Sequence, residues 1–328
     1  MFIRSAKNPI LSPYYNHEWE SLKVYNPASI YDNTEHHLFY RAEGPDNVSR
    51  IGYAYSFDGE SFIRYDSPLI EPDSPLESCG IEDPRIAKID DVFFLTYTAY
   101  DGETARLSLA TSTDLKIWKR HGPMLVGWNQ EKAEGFSVQW DKARNGQNTK
   151  KDWSKAGGII PETINNRYWM LFGDSNIWLA HSADGLNWKA VNEPLLRPRN
   201  KKSAMAFDGK HLEMGPPPIK TRSGWLAIYH GIDADKTYRL GYVLLDLRNP
   251  QNIIYRSPDP FFEPDEKYEL AGFSDIDEGQ PGWNLKTRAK VIFCNGAVLT
   301  GNDLRIYYGC QDHAIATAVT KLDYFLGD

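Results

Sequence analysis

The sequence predicts an all-β protein, a five-bladed β-propeller. Short β-rich runs broken by Gly, Asp, Asn and Pro recur along the chain, while 3.6-residue helical periodicity is scarce. The runs are of three kinds that follow one another in fixed order. That order repeats five times, the mark of a small sheet repeated radially.

Each repeat opens with a run from the set "VYNPASI", "IEDPRIA", "IIPETIN", "MGPPPIK" and "FCNGAVL". In a propeller these first strands line the central channel. The second kind reads "HLFYRAEG", "FFLTYTAYDG", "YWMLFGDS", "GWLAIYHGID" and "LRIYYGCQD". Aligning Tyr40, Tyr97, Phe172, Tyr229 and Tyr308 gives intervals of 57, 75, 57 and 79 by subtraction. The third kind, "IGYAYSFDGESF", "LSLATSTDLKIW" and "IWLAHSADGLNW", carries Ser-x-Asp before an aromatic, and its Asp-Gly or Asp-Leu step reads as a hairpin turn. "YRLGYVLLDLRNP" and "HAIATAVTKLD" are looser versions. Each repeat leaves room for a fourth, outer strand. A two-sheet sandwich of the same strands would give no reason for five parallel copies. No linker-like composition divides the chain, so residues 1–328 read as a single catalytic domain. The polar stretch "DKARNGQNTKKDWSK", 141–155, reads as a surface excursion between blades two and three, placed to rim the site.

Bulk properties narrow the function. The chain of 328 residues can bury a large core without disulfides. Cys79, Cys294 and Cys310 show no CxxC spacing, and their odd number suits a reducing compartment. "MFIRSAKNPI" holds no apolar stretch of signal-peptide length, and no run could span a bilayer, so a cytoplasmic protein without membrane contact is expected. The net charge of −7 disfavours nucleic acid. Most of the ten Trp and nineteen Tyr should be structural, and an excess can also supply stacking faces for sugars. A homo-oligomer is compatible with this composition. No metal constellation appears: the His36–His37 pair alternates sides on a strand and lacks further ligand spacing. No cofactor loop appears either.

The run "GIEDPRI", 80–86, puts two acids, a proline and an arginine where blade two meets the channel mouth. Equivalent places hold Asn26, Glu162, Glu213 and Asn295. Asp83, Glu162 and Glu213 would then converge from blades two, three and four. Converging carboxylates shift one another's pKa values, so that one donates a proton while another stays ionised. Glycosidic bond cleavage needs that division. Glu82 is expected to bond backbone or a neighbouring arginine, and Arg85, on the other side of the strand, to be structural.

Together, "GIEDPRI", "TYTAYDG", "MGPPPIKTRSGWLAIYHG", "YRLGYVLLDLRNP" and "VIFCNGAVLTGNDLRIYYGCQD" resemble glycoside hydrolase family 130, from about Asn8 to Leu322. The resemblance implies a five-bladed propeller acting on β-mannosides. It implies that Asp83 is the general acid, working through a substrate hydroxyl, and that the attack inverts configuration. In many members the attacking group is inorganic phosphate; in others it is water activated by a glutamate.

This chain departs from the phosphorylase pattern. Gly173, in "MLFGDS", stands where an Arg would fall, and in "HLEMGPP" His211 and Glu213 stand where Lys and Gly would. Losing two cations and gaining a carboxylate should repel a dianion. Lys155 or Lys210 could rebuild a phosphate site. The expectation is therefore an inverting glycosidase on mannose-containing oligosaccharides. Hydrolysis is placed slightly ahead of a phosphorylase that uses phosphate as co-substrate, and ahead of a non-catalytic sugar-binding propeller. Asp83, Glu213 and Glu162 are the candidate catalytic residues. Asn26, Arg41, Arg50, His230, Tyr238 and Asp312 are the candidate substrate-binding residues.

Overall fold

The computed structural model describes residues 2–128, 152–199, 206–270 and 290–326. The stretch 141–151 of the predicted rim lies outside them. The chain forms five antiparallel sheets in sequence order, with the innermost strand first in each.

Strand β1 (Ile3–Arg4) is set aside for the last blade. Blade one is β2 (Lys23–Asp32), β3 (Glu35–Glu43), β4 (Arg50–Ser56) and β5 (Ile63–Arg64). Blade two is β6 (Gly80–Ile89), β7 (Val92–Tyr100), β8 (Ala105–Ser112) and β9 (Lys119–Pro123). Blade three is β10 (Gly158–Ile159), β11 (Tyr168–Phe172), β12 (Trp178–Ser182) and β13 (Trp188–Ala190). In blade four, β14 (His211–Met214) and β15 (Ile219–Thr221) both pair with β16 (Gly224–Ile232), followed by β17 (Tyr238–Leu245) and β18 (Ile253–Arg256). The Gly-Pro-Pro-Pro run 215–218 breaks that inner strand, because proline cannot donate to the ladder. Blade five is β19 (Ile292–Thr300), β20 (Asp303–Cys310) and β21 (Ala314–Lys321), and β1 supplies its outer strand.

The strands are apolar on both faces because each blade is packed on both faces. On β3, Phe39 points toward blade two while Leu38, Tyr40 and Ala42 point toward blade five. On β16, Trp225, Ala227 and Tyr229 pack on blade three, and Leu226 and Ile228 on blade five. The buried side chains therefore divide into one apolar seam for each neighbouring pair of blades.

The Ser-x-Asp turns close the third and fourth strands in one geometry. In "SADG", Ser182 Oγ donates to Asp184 Oδ1 (2.9 Å) and accepts from the Gly185 amide (3.0 Å). Asp184 Oδ1 accepts from the amides of Leu186 (2.9 Å) and Asn187 (2.8 Å). "SFDG" and "STDL" repeat the pattern.

Two inner strands carry a feature that builds the site. Register shifts between Tyr25 and Ala28 on β2, and between Glu82 and Arg85 on β6. Each bulge contains an X-Pro pair, Asn26-Pro27 or Asp83-Pro84, where the ladder needs no proline N–H. Asn26 (φ 48°) and Asp83 (φ 52°) adopt left-handed backbone there, which aims both side chains at one point.

Candidate active site

The Asp83 carboxylate sits where blades one, two and three meet, and the residue is 4% exposed. Asn26 Nδ2 donates to its Oδ1 at 2.7 Å. Arg41 Nη1 lies 3.5 Å from Oδ1 and Lys155 Nζ 3.5 Å from Oδ2. Burial alone would raise its pKa. The charges of Lys155 and Arg41 and the Asn26 hydrogen bond outweigh it and hold the carboxyl well below the usual range. Asp83 is ionised in the free protein.

Arg41 is held from several sides. Its Nη2 pairs with Glu43 (2.8 Å) and Glu82 (2.9 Å), its Nε donates to Ser49 Oγ (2.8 Å), and it lies over the Tyr25 ring. Tyr25 and Ser49 both donate to Glu43. Lys155 Nζ also reaches Glu82, at 3.4 Å. Burial would lower its pKa, but Glu82, Asp83, Glu213 and Asp174 together raise it, so the ammonium is firmly charged.

On the blade-four side, Glu213 follows the opposite course. It is 8% exposed. Burial pushes its pKa up to about 8, with Asp83 and Asp174 adding to the rise and Lys155 and Arg85 opposing it. Below that value the carboxyl keeps its proton. His230 pairs with Glu213 across β14 and β16 and stacks on Phe293 with ring centroids 4.1 Å apart. Its Nε2 accepts from the Cys294 amide (2.8 Å), and burial and Arg85 lower its pKa to about 3, so the ring is neutral. Tyr238 keeps its phenolic proton: burial, then the charges of Glu213 and Asp312, hold it well above the ordinary value. Asp312 is lifted to about 6 by burial, against the pull of Arg41 and Lys23.

Beneath the acids, Arg85 is buried and crosses to blade four. Its Nε donates to Gly215 O (2.8 Å), its Nη2 to Met214 O (2.5 Å) and its Nη1 to the carbonyl of Asp83 (3.0 Å).

The fold thus brings Asp83, Glu213, Asn26, Arg41, His230, Tyr238 and Asp312 into one cluster. Two other candidates do not join it. Glu162 is exposed and paired with Lys220 at the surface. Blade three meets the site with the residues before its inner strand, whereas Glu162 follows Pro161 beyond β10's far end. Arg50 forks onto Asp46 (2.7 and 3.2 Å) and the Val48 carbonyl (2.9 Å), while the preceding Ser49 faces Glu43 and Arg41. The expected division between two carboxyls exists with its occupants exchanged: in the free protein Glu213 holds the proton and Asp83 the charge.

Blade three instead contributes Lys155 and Asp174. Lys155 had entered only as a substitute cation, and Lys210, the other one, is exposed. Asp174 had a signal in the sequence. An acid follows the aligned aromatic by two to four residues in every repeat, at Glu43, Asp101, Asp174, Asp233 and Asp312. Lys155 lies on irregular backbone and had none. The absence of an arginine at residue 173 has a backbone cause. Gly173 has φ +125°, and a Cβ there would lie 2.1 Å from Asn176 O.

Comparison with known proteins agrees with this architecture. The model of glycoside hydrolase family 130, described as beta-1,4-mannooligosaccharide phosphorylase, matches residues 4–326. A 1,2-beta-oligomannan phosphorylase from Thermoanaerobacter sp. (strain X514) is 34% identical, covering 97% of both chains. A beta-1,2-mannobiose phosphorylase from the same organism is 34% identical, covering 97% of this chain and 96% of its own. A glycosyl hydrolase from Bacteroides ovatus superposes with a TM-score of 0.80 at 30% identity, covering 98% of this chain and 93% of its own. On the match over nearly its whole length and the two relatives above 30% identity, the chain belongs to glycoside hydrolase family 130 and is a glycoside-processing enzyme.

Proposed function

We propose that the protein cleaves β-1,2-linked manno-oligosaccharides by phosphorolysis, with inversion at the anomeric carbon. The observation that carries the reading is Lys155, whose ammonium stands 3.5 Å from Asp83 Oδ2 and supplies the cation missing from the sequence pattern. The expectation of hydrolysis rested on a Glu213 anion repelling phosphate. With its pKa near 8, the carboxyl is mostly neutral at pH 7, repels no dianion and can donate a hydrogen bond to one. Lys155 stands within the cluster as the cation that the sequence pattern lacked. The phosphorylases from Thermoanaerobacter support both the co-substrate and the linkage.

In this reading phosphate lies by Lys155, Glu213, His230 and Tyr238. One phosphate oxygen attacks the anomeric carbon, and the bond from that carbon to the leaving sugar breaks. The leaving oxygen takes a proton from Asp83. The attacking hydrogen phosphate sheds its own proton on forming the ester, so the proton delivered by Asp83 is replaced and charge balances. The products are α-mannose 1-phosphate and a shortened sugar. Asp83, ionised at rest, takes up one proton from solvent as the substrates fill the site and, reprotonated by the proton that phosphate sheds, returns one to solvent as the products leave. Asn26, Arg41 and Asp312 face the sugar from blades one and five.

Hydrolysis is the second reading, favoured by the acid pair Asp174–Glu213 on the co-substrate side. It requires an ionised Glu213 as base. The two readings predict opposite pH limbs. Phosphorolysis should fall as pH rises through about 8, because the Glu213 anion then opposes phosphate; Glu213→Gln should stay active and lose that limb. Hydrolysis should rise through the same pH and vanish in Glu213→Gln. Product analysis on β-1,2-mannobiose, with and without phosphate, supplies the check. Free mannose at a rate indifferent to phosphate overturns the proposal.

A further inference from the structure

Two cations from different segments of the chain meet on one carboxylate. Glu82 is 8% exposed. It faces Thr98 of β7 as the last paired residue of β6 before the bulge that turns Asp83. Its Oε1 accepts from Arg41 Nη2 of blade one at 2.9 Å. Its Oε2 accepts from Lys155 Nζ, which precedes blade three, at 3.4 Å. The same two cations lie against Asp83, Arg41 Nη1 at 3.5 Å from Oδ1 and Lys155 Nζ at 3.5 Å from Oδ2. The four side chains close a ring in which carboxylates and cations alternate.

The two cations differ in how much they depend on Glu82. Arg41 is also held by Glu43 (2.8 Å), Ser49 Oγ (2.8 Å) and the ring of Tyr25. Among the described residues, Lys155 makes its ion pairs with Glu82 and Asp83. It lies on irregular backbone, and its ammonium ends a flexible four-carbon stem.

We infer that Glu82 is a positioning residue that acts through Lys155: its second oxygen tethers the ammonium beside Asp83 throughout turnover. Asp83 cannot do this alone. As general acid it holds the departing proton before the bond breaks, and a protonated carboxyl no longer pairs with an ammonium as an ion. Glu82 takes no part in that transfer, so its bond to Lys155 persists. Without it, the Lys155 stem is free to swing away as phosphate arrives. The inference rests on the proposed function only for the co-substrate that Lys155 meets.

The test is steady-state kinetics on β-1,2-mannobiose with inorganic phosphate, giving kcat and KM for each substrate. The proteins are wild type, Glu82→Gln, Lys155→Met and the double variant. Glu82→Gln keeps the shape but leaves one acceptor oxygen, which Arg41, the nearer donor, claims. KM for phosphate should rise about tenfold, the worth of a hydrogen bond to a charged group. KM for mannobiose should stay near wild type, because Arg41 keeps its other partners. In the Lys155→Met background the same substitution should leave the phosphate KM unchanged, whereas a residue that merely supports the fold would add its full effect in both backgrounds. Glu82→Asp keeps the carboxylate but falls one methylene short of Lys155. It should also raise the phosphate KM, and it takes the place of the Gln variant should that fail to fold. A phosphate KM at or below the wild-type value in both Glu82 variants overturns the inference, since Glu82 would then only offset the charge of Lys155. Equal effects with and without Lys155 overturn it as well. Free mannose at a rate indifferent to phosphate overturns phosphorolysis instead. The cycle is then read in kcat/KM on mannobiose, where additive substitutions overturn the tether and non-additive ones support it.

Discussion

Asp83 is held in backbone that few side chains adopt. A left-handed φ before a proline costs on the order of 1–3 kcal/mol and persists only where the surroundings impose it. Here the bulge, the Asn26 hydrogen bond and the carbonyl bond to Arg85 impose it. Asp83→Asn keeps the shape and removes the proton that leaves with the sugar. We expect a loss of about 10²–10⁴ in kcat with the all-β fold retained by circular dichroism. More than about a tenth of wild-type kcat would take the acid role away from this residue. Asp83 and Glu213 were legible in the sequence because each sits in a motif tied to an inner strand. Their protonation was not, because it depends on burial and on Lys155, which arrives from another segment of the chain. Glu162 misled because an acid beside a proline looks alike at either end of a strand.

The repeated elements were legible for a different reason. A strand buried on both faces is apolar throughout, and five such strands at regular spacing stand out from their turns. The Ser-x-Asp turns mark the same positions by local chemistry. Ser182→Ala removes both an acceptor for the Gly185 amide and a donor to Asp184. It should cost about 1 kcal/mol, read as a lowered midpoint in urea with an unchanged slope. An unchanged midpoint would mean that Asp184 alone holds the turn. Blade three was the least legible blade, because its inner strand is only two residues long. Blade four hid a split inner strand behind its proline run.

At the scale of the molecule, the ring is closed by the shortest of strands. Residues Ile3 and Arg4 pair with Val319 and Ala318, too few to show a pattern in sequence. Arg4 makes the closure firm. It bonds both oxygens of Glu269 (2.8 and 2.9 Å), which is fully buried and also accepts from Tyr308 (2.7 Å). Arg4→Ala leaves that acid buried without its cation. The expected loss is about 3–5 kcal/mol, measured as a fall in melting temperature together with faster proteolysis of the N-terminus. A variant as stable as wild type would show that packing of the apolar seams alone closes the ring.

Arg85 has a consequence of its own. Its three donors hold the carbonyls of Asp83, Met214 and Gly215, so a single side chain laces the strand that carries Asp83 to the strand that carries Glu213. A shift of either strand tugs on the other, and the two carboxyls keep step across the ring like rowers on one oar.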